Sequence, residues 1–154
     1  MTPRRAGPQD AAVLARLNAH VQGWHAAHYP ESFYPAPDPA ALTAHFADRL
    51  ADPAVTAFLV GDPAVGYALC SLQAREQSLF SPAVRRLMIE HVAVAPEARR
   101  QGLGRALLRA ARGLARDLHV DEILLDTWEA NHAAHDFFRA EGFSPRRMLF
   151  RATP

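Results

Sequence analysis

Cysteine is almost missing from this chain. Cys70 stands alone in an apolar run, so neither a disulfide framework nor a thiolate zinc cage can be assembled, and a reducing compartment is expected. Long apolar runs are lacking as well. None approaches the ~20 residues needed to span a bilayer, and no N-terminal stretch joins a charged start to a long apolar segment, so a soluble, cytoplasmic protein without a membrane partner is expected. Charge of one sign is not in excess: 17 Lys+Arg against 16 Asp+Glu leave +1, which gives no general attraction to nucleic acid. Nor is any basic patch interleaved with aromatics, which argues against a nucleic-acid acceptor. Repeats, low-complexity tracts and linkers are absent. What the chain does hold is apolar content, and 49% hydrophobic residues in a length of 154 are enough for one domain, residues 1–154, with its own core.

Periodicity sets the order of elements. Residues 2–5 can form a short edge strand, and after Pro8 the spacing of Leu14, Leu17, Val21 and Trp24 predicts an amphipathic helix. Pro30, Pro35, Pro37 and Pro39 then enforce an extended loop holding Phe33 and Tyr34. Asp38 is a suitable N-cap with Pro39 at the first helical position, and Leu42, Phe46 and Leu50 continue a second helix. Residues 56–60 and 65–72, separated by Gly61-Asp62-Pro63, read as a β-hairpin, and residues 87–95 as a near-continuous apolar strand interrupted by Glu90 and His91. From about Gly102, Leu103, Leu107, Ala110 and Leu114 form an apolar helical stripe, while Arg105, Arg109, Arg112 and Arg116 form a second one, read as a solvated face. Residues 123–126 are a short strand. Asn131 can cap a last helix carrying Ala134, Phe137 and Phe138, Gly142 suits its left-handed end, and residues 143–151 are expected to return as a final strand. This order describes a mixed α/β sheet with helices on both faces.

Chemistry concentrates between residues 89 and 108. Here a strand passes through a tight polar turn into a helix N-terminus. Gly102 and Gly104 remove side chains where backbone must approach a ligand closely, and the first helical amides have no internal partners. The helix dipole together with Arg99, Arg100 and Arg105 makes the turn a cradle suited to a pyrophosphate. It is not a P-loop, which needs a lysine that the segment lacks, nor the dinucleotide fingerprint, which needs three glycines and a downstream acid.

The segment Val94-x-Pro96-Glu97-x-Arg99-x-x-Gly102-x-Gly104 resembles the acyl-CoA-binding signature of GNAT N-acyltransferases. Asn131-x-x-Ala134-x-x-Phe137-Phe138-x-x-x-Gly142-Phe143 is similar to that family's second motif. The resemblance implies a mostly antiparallel central sheet of about six to seven strands flanked by about four helices in a single domain. It further implies that acetyl-CoA is the acyl donor, with its pyrophosphate on the amides of Arg100, Gln101, Gly102, Leu103 and Gly104, its pantetheine arm paired with the backbone at Val92 and Val94, and Asn131 reaching the arm. A backbone amide on that strand is then expected to polarise the thioester carbonyl.

An amine acceptor must be neutral to attack, so a base is needed. Glu90 is the first candidate, its apolar setting being expected to raise its pKa, unless it is paired with an arginine such as Arg86. His91 competes, and strand alternation predicts that the two face opposite ways. Where the family often carries a tyrosine to protonate the departing thiolate, this chain has Phe138, with His135 one turn earlier as a substitute. That departure keeps a second reading open, a non-catalytic acyl-CoA-binding or regulatory module. Trp24, His25, His28, Tyr29, Phe33, Tyr34 and Trp128 are candidates to line the acceptor pocket. The histidine pairs offer no third ligand of suitable spacing, so no metal is expected. A small-molecule or amino-acid-like primary amine is the expected acceptor, and a homodimer is a further expectation.

Overall fold

The computed structural model describes residues 1–154. The N-terminal strand β1 (Arg4–Arg5) leads into helix α1 (Ala11–His28), whose buried face carries Leu14, Leu17 and also Asn18. Helix α2 (Pro39–Ala51) starts where the sequence placed it. The Asp38 carboxylate accepts a hydrogen bond from the Ala41 amide at 2.8 Å, and Pro39 occupies the first turn, where its missing donor costs nothing. Strands β2 (Val55–Gly61), β3 (Ala64–Arg75) and β4 (Val84–Val94) follow as an antiparallel meander. Helix α3 (Leu103–Asp117), strand β5 (Glu122–Leu124) and helix α4 (His132–Ala140) complete the chain's regular structure.

The strands lie in chain order from β1 to β5, and only the β4–β5 pair is parallel, because α3 carries the chain back across the sheet. Two cores result. Helices α1 and α2 bury Leu14, Leu17 and Phe46 against Leu59, Tyr67, Leu69 and Ala93 on one face. On the other, Leu103, Leu107, Leu108, Ala111 and Leu114 of α3 pack against Phe58, Val60, Ala68, Leu87 and Ile89. Each leucine so buried contributes roughly 1.5–3 kcal/mol.

Two expectations need correction. The arginine row of α3 is not merely solvated: Arg105 Nε donates to the Glu141 carboxylate at 2.6 Å, and Arg112 donates to the Glu141 carbonyl while its guanidinium lies 5.0 Å from the Phe143 ring. These two arginines clamp the end of α4. The sheet has five strands rather than six or seven, since residues 143–151 form none. Pro145 removes one donor and restricts Ser144, and the segment is held instead by side-chain ion pairs of Arg146 with Glu122 and Arg151 with Glu31. Met148, Leu149 and Phe150 are left exposed.

Candidate active site

The turn between β4 and α3 is built as the sequence spacing anticipates. After a short 3-10 turn at Pro96–Ala98, Arg100 and Gly102 both adopt left-handed backbone, at φ 64° and 78°. None of the amides of residues 100–105 finds an acceptor inside the chain, so a row of donors faces outward at the positive end of α3. A Cβ placed on Gly102 would meet nothing within 4 Å, whereas one on Gly104 would lie 3.1 Å from the Phe137 ring. Gly102 therefore supplies the left-handed turn that leaves the amide row open, and Gly104 allows the close packing of α4 on α3. The charged side chains divide similarly. Arg100 and Gln101 are exposed beside the amides, Arg99 donates from Nε to the Val94 carbonyl at 3.2 Å, and Arg105 is turned away toward Glu141. Leu103 is buried in the core, so only its amide is available.

Beside this turn, β4 has an open edge. Its pairing with β5 covers only Arg86, Leu87 and Met88, so from Ile89 onward the edge of β4 that includes Val92 and Val94 has no neighbouring strand. The splay leaves backbone donors and acceptors facing a wedge that ends at the amide row. Asn131, at the start of α4, caps that helix through its side-chain oxygen, which accepts from the Ala134 amide at 3.2 Å.

Glu90 and His91 do not face opposite ways. The β3–β4 register passes from Leu69↔His91 to Cys70↔Ile89, so Glu90 is the extra residue of a β-bulge. Ile89 and Val92 pack on the α3 side, while Glu90 reaches Arg49 of α2 and His91 reaches Tyr67 on the α1–α2 side. Strand alternation fails because one residue is inserted. The partner of Glu90 also differs from expectation. Both its oxygens accept from Arg49 Nη2, at 2.6 and 2.8 Å, while Arg86 pairs with Glu122 at 3.4 Å. The apolar setting expected for Glu90 is thus a half-exposed ion pair. Burial lowers the pKa of the His91 imidazole; the Glu90 carboxylate pulls the other way, and the charges of His25, His45 and Arg49 add to the lowering. Cys70, on the neighbouring strand β3 opposite Ile89, is buried, and that burial pushes its thiol up to about 12, as befits a core residue.

The aromatic residues expected to line an acceptor pocket come together from two distant segments. Tyr29 and Phe33 lie 4.4 and 5.2 Å from the Trp128 ring, His25 stacks on Phe33 at 4.6 Å, and Trp24 stacks on His28 at 4.0 Å. The Tyr29 hydroxyl accepts from the Ala130 amide at 3.0 Å, which ties the end of α1 to the loop before α4. Burial lowers the His25 pKa. Tyr34 is 83% exposed and takes no part. On α4, Phe138 is half-buried against Phe137 and Phe143, and the His135 ring pairs through Nε2 with the Trp128 carbonyl at 3.0 Å.

Three residues escaped the sequence reading: Arg49, Tyr67 and Asn18. Asn18 follows Leu17 on the buried face of α1, and a tyrosine inside an apolar strand needs a partner for its hydroxyl. Those were the signals available.

The family model described as acetyltransferase (GNAT) family matches residues 19–143. Human N-acetyltransferase 8 is 37% identical over 66 residues, which cover 43% of this chain and 29% of that protein, so the chain matches under a third of that relative's length. Among solved structures, a tetramutant of the BH1408 protein of Bacillus halodurans superposes with a TM-score of 0.89 at 21% identity, covering 100% of both chains. Aminoglycoside N-acetyltransferase AAC(6')-Iy in complex with CoA gives 0.77 at 18% identity, covering 98% of this chain and 93% of that one. At such identities the likeness is one of fold.

Proposed function

Because the chain belongs to the acetyltransferase (GNAT) family, we propose that it moves an acetyl group from acetyl-CoA to a primary amine of a small-molecule or amino-acid-like acceptor, by direct attack in a ternary complex. The observation that carries this reading is the open wedge along β4 ending at a row of unpaired amides. Residues 100–104 and the Arg99 and Arg100 side chains would hold the pyrophosphate, and the backbone at Val92 and Val94 would pair with the pantetheine arm. Arg105 is a weaker contributor, since its guanidinium is engaged with Glu141. The fit is supported by the chemistry of the donors, which are outward amides at a helix N-terminus. Bound there, acetyl-CoA supplies an activated thioester. Glu90 takes the proton from the attacking amine, directly or through water, and Arg49 fixes the orientation of its carboxylate. A β4 amide at the bulge would donate to the thioester carbonyl oxygen as charge develops there, and the C–S bond would break with CoA leaving as its thiolate.

Titration of the protein with CoA, together with thiol release across a panel of amines between about pH 6 and 9, tests this reading. A bulky replacement such as Gly102→Leu should abolish CoA binding; undiminished affinity would place the cofactor elsewhere. Phe138 in place of a hydroxyl-bearing acid favours a second reading, a module that binds acyl-CoA without turning it over. Tight CoA binding with no product from any amine would select it.

A further inference from the structure

We propose that Asn18 and Tyr67 are positioning residues that hold His91 as the tautomer protonated on Nε2, so that His91 enters the cleft as a hydrogen-bond donor and leaves Glu90 as the proton acceptor of that face. The chemical consequence rests on the acyl-transfer reading above; the tautomer does not.

The starting point is a polar chain laid through an apolar core. Asn18 is 7% exposed on the face of α1 that also carries Leu14 and Leu17, and Tyr67 is fully buried on β3. Buried amides and hydroxyls are costly unless paired. The Tyr67 hydroxyl has two partners: Asn18 Nδ2 at 2.9 Å and His91 Nδ1 at 3.0 Å. An amide nitrogen only donates, so the tyrosine oxygen accepts from Asn18 and keeps one proton to give. The only acceptor it faces is His91 Nδ1, which must then carry a lone pair. Burial disfavours the imidazolium, so at neutral pH the ring holds a single proton, and that proton sits on Nε2.

Direction in this chain is set at its far end. Were Asn18 to present its oxygen instead, Tyr67 would donate to it, accept from Nδ1–H, and leave Nε2 of His91 as a free base. One amide therefore decides whether His91 gives or takes a proton. Nε2 itself is not locked in the core: the Ser71 hydroxyl is the one buried side-chain polar atom without a partner, and His91 is only half-buried. The bulge at Glu90 makes this matter, because it puts the donor of His91 and the carboxylate of Glu90 on the same face. Glu90 on β4, His25 on α1, and His45 and Arg49 on α2 are the charged or titratable groups whose fields reach the ring.

Two-bond ¹⁵N–¹H correlation spectra of the labelled, ligand-free protein near neutral pH read the tautomer directly, with the His91 signals identified by their loss in His91→Gln. The expected wild-type pattern is Nε2–H with an unprotonated, hydrogen-bonded Nδ1. In Asn18→Asp the carboxylate can only accept, so the chain should reverse and the His91 pattern should switch to Nδ1–H; Tyr67→Phe should remove the hydrogen-bond shift of Nδ1. An Nδ1–H pattern in the wild type overturns the proposal, as does an unchanged His91 pattern in a folded Asn18→Asp protein. Should that variant fail to fold, the wild-type spectrum decides alone. Since no acetyl-CoA enters the experiment, its failure leaves the acyltransferase reading standing, and failure of CoA binding leaves the tautomer standing.

Discussion

A methyl group added at Gly104 would meet the Phe137 ring at 3.1 Å, whereas one added at Gly102 would meet open space but on a backbone with φ of 78°. The two glycines are thus constrained by different physics, one by a neighbour and the other by its own dihedral. Gly102→Ala should cost about 1–2 kcal/mol through left-handed strain that no second substitution relieves. Gly104→Ala should also destabilise on its own. In a Phe137→Leu background, however, the clash goes and the helix propensity of alanine remains, so the same change should raise stability by about 0.5–1 kcal/mol. Urea unfolding of the four proteins in this cycle measures the coupling. Additive effects would mean that Phe137 does not limit the approach of α4.

Elements show where local sequence suffices. Asp38 before Pro39, Asn131 ahead of Ala134 and Gly142 at φ 86° all act as their residue types predict, because a cap is decided within four residues of chain. The bulge at Glu90 is different. It belongs to the register of β4 on β3, set by residues some 20 positions away, and no period within β4 reveals it. The same holds for Arg49, which meets Glu90 across 41 positions. The turn of outward amides between β4 and α3 was therefore legible from its spacing, while the facing of Glu90 and His91 was not. The absent final strand has a third cause, for its apolar residues Met148, Leu149 and Phe150 match a strand by composition yet make no ladder. Helix α1 carries a prediction of its own. Gly23 is an exposed residue in its interior, and a Cβ there would meet nothing within 4 Å. Gly23→Ala should then stabilise the protein by about 0.5–1 kcal/mol, read as a rise in the urea midpoint at unchanged slope. A fall would mean that the end of α1 needs its glycine for the aromatic contacts that follow it.

At the scale of the whole molecule, the two faces of the sheet divide the work. The α3 face is an apolar core that anchors the helix behind the amide row, and the α1–α2 face carries the Asn18–Tyr67–His91 chain and the Arg49–Glu90 ion pair. That division makes global stability depend on pH in two stages. His91 and His25 have folded pKa values lowered by burial, so as pH falls below the unfolded value of about 6.5 the unfolded chain takes up protons that the native state refuses, and stability declines. Asp10 acts lower. Its carboxylate accepts from Arg4 at 2.8 Å and from the Gly7 amide, which holds its pKa near about 2; the stability it contributes is present above the unfolded value of about 3.9 and is lost as pH falls through the folded one. Thermal midpoints should therefore fall first between about pH 7 and 5 and again below about pH 4. His91→Gln should shrink the first stage to what His25 contributes and leave the second, and Asp10→Asn should remove the second and leave the first. A wild-type midpoint that stays level from pH 7 to 5 would mean that His91 and His25 bind their protons as readily in the fold as in the unfolded chain, and would confine the neutral imidazole that the Asn18–Tyr67 chain needs to pH above about 6.5.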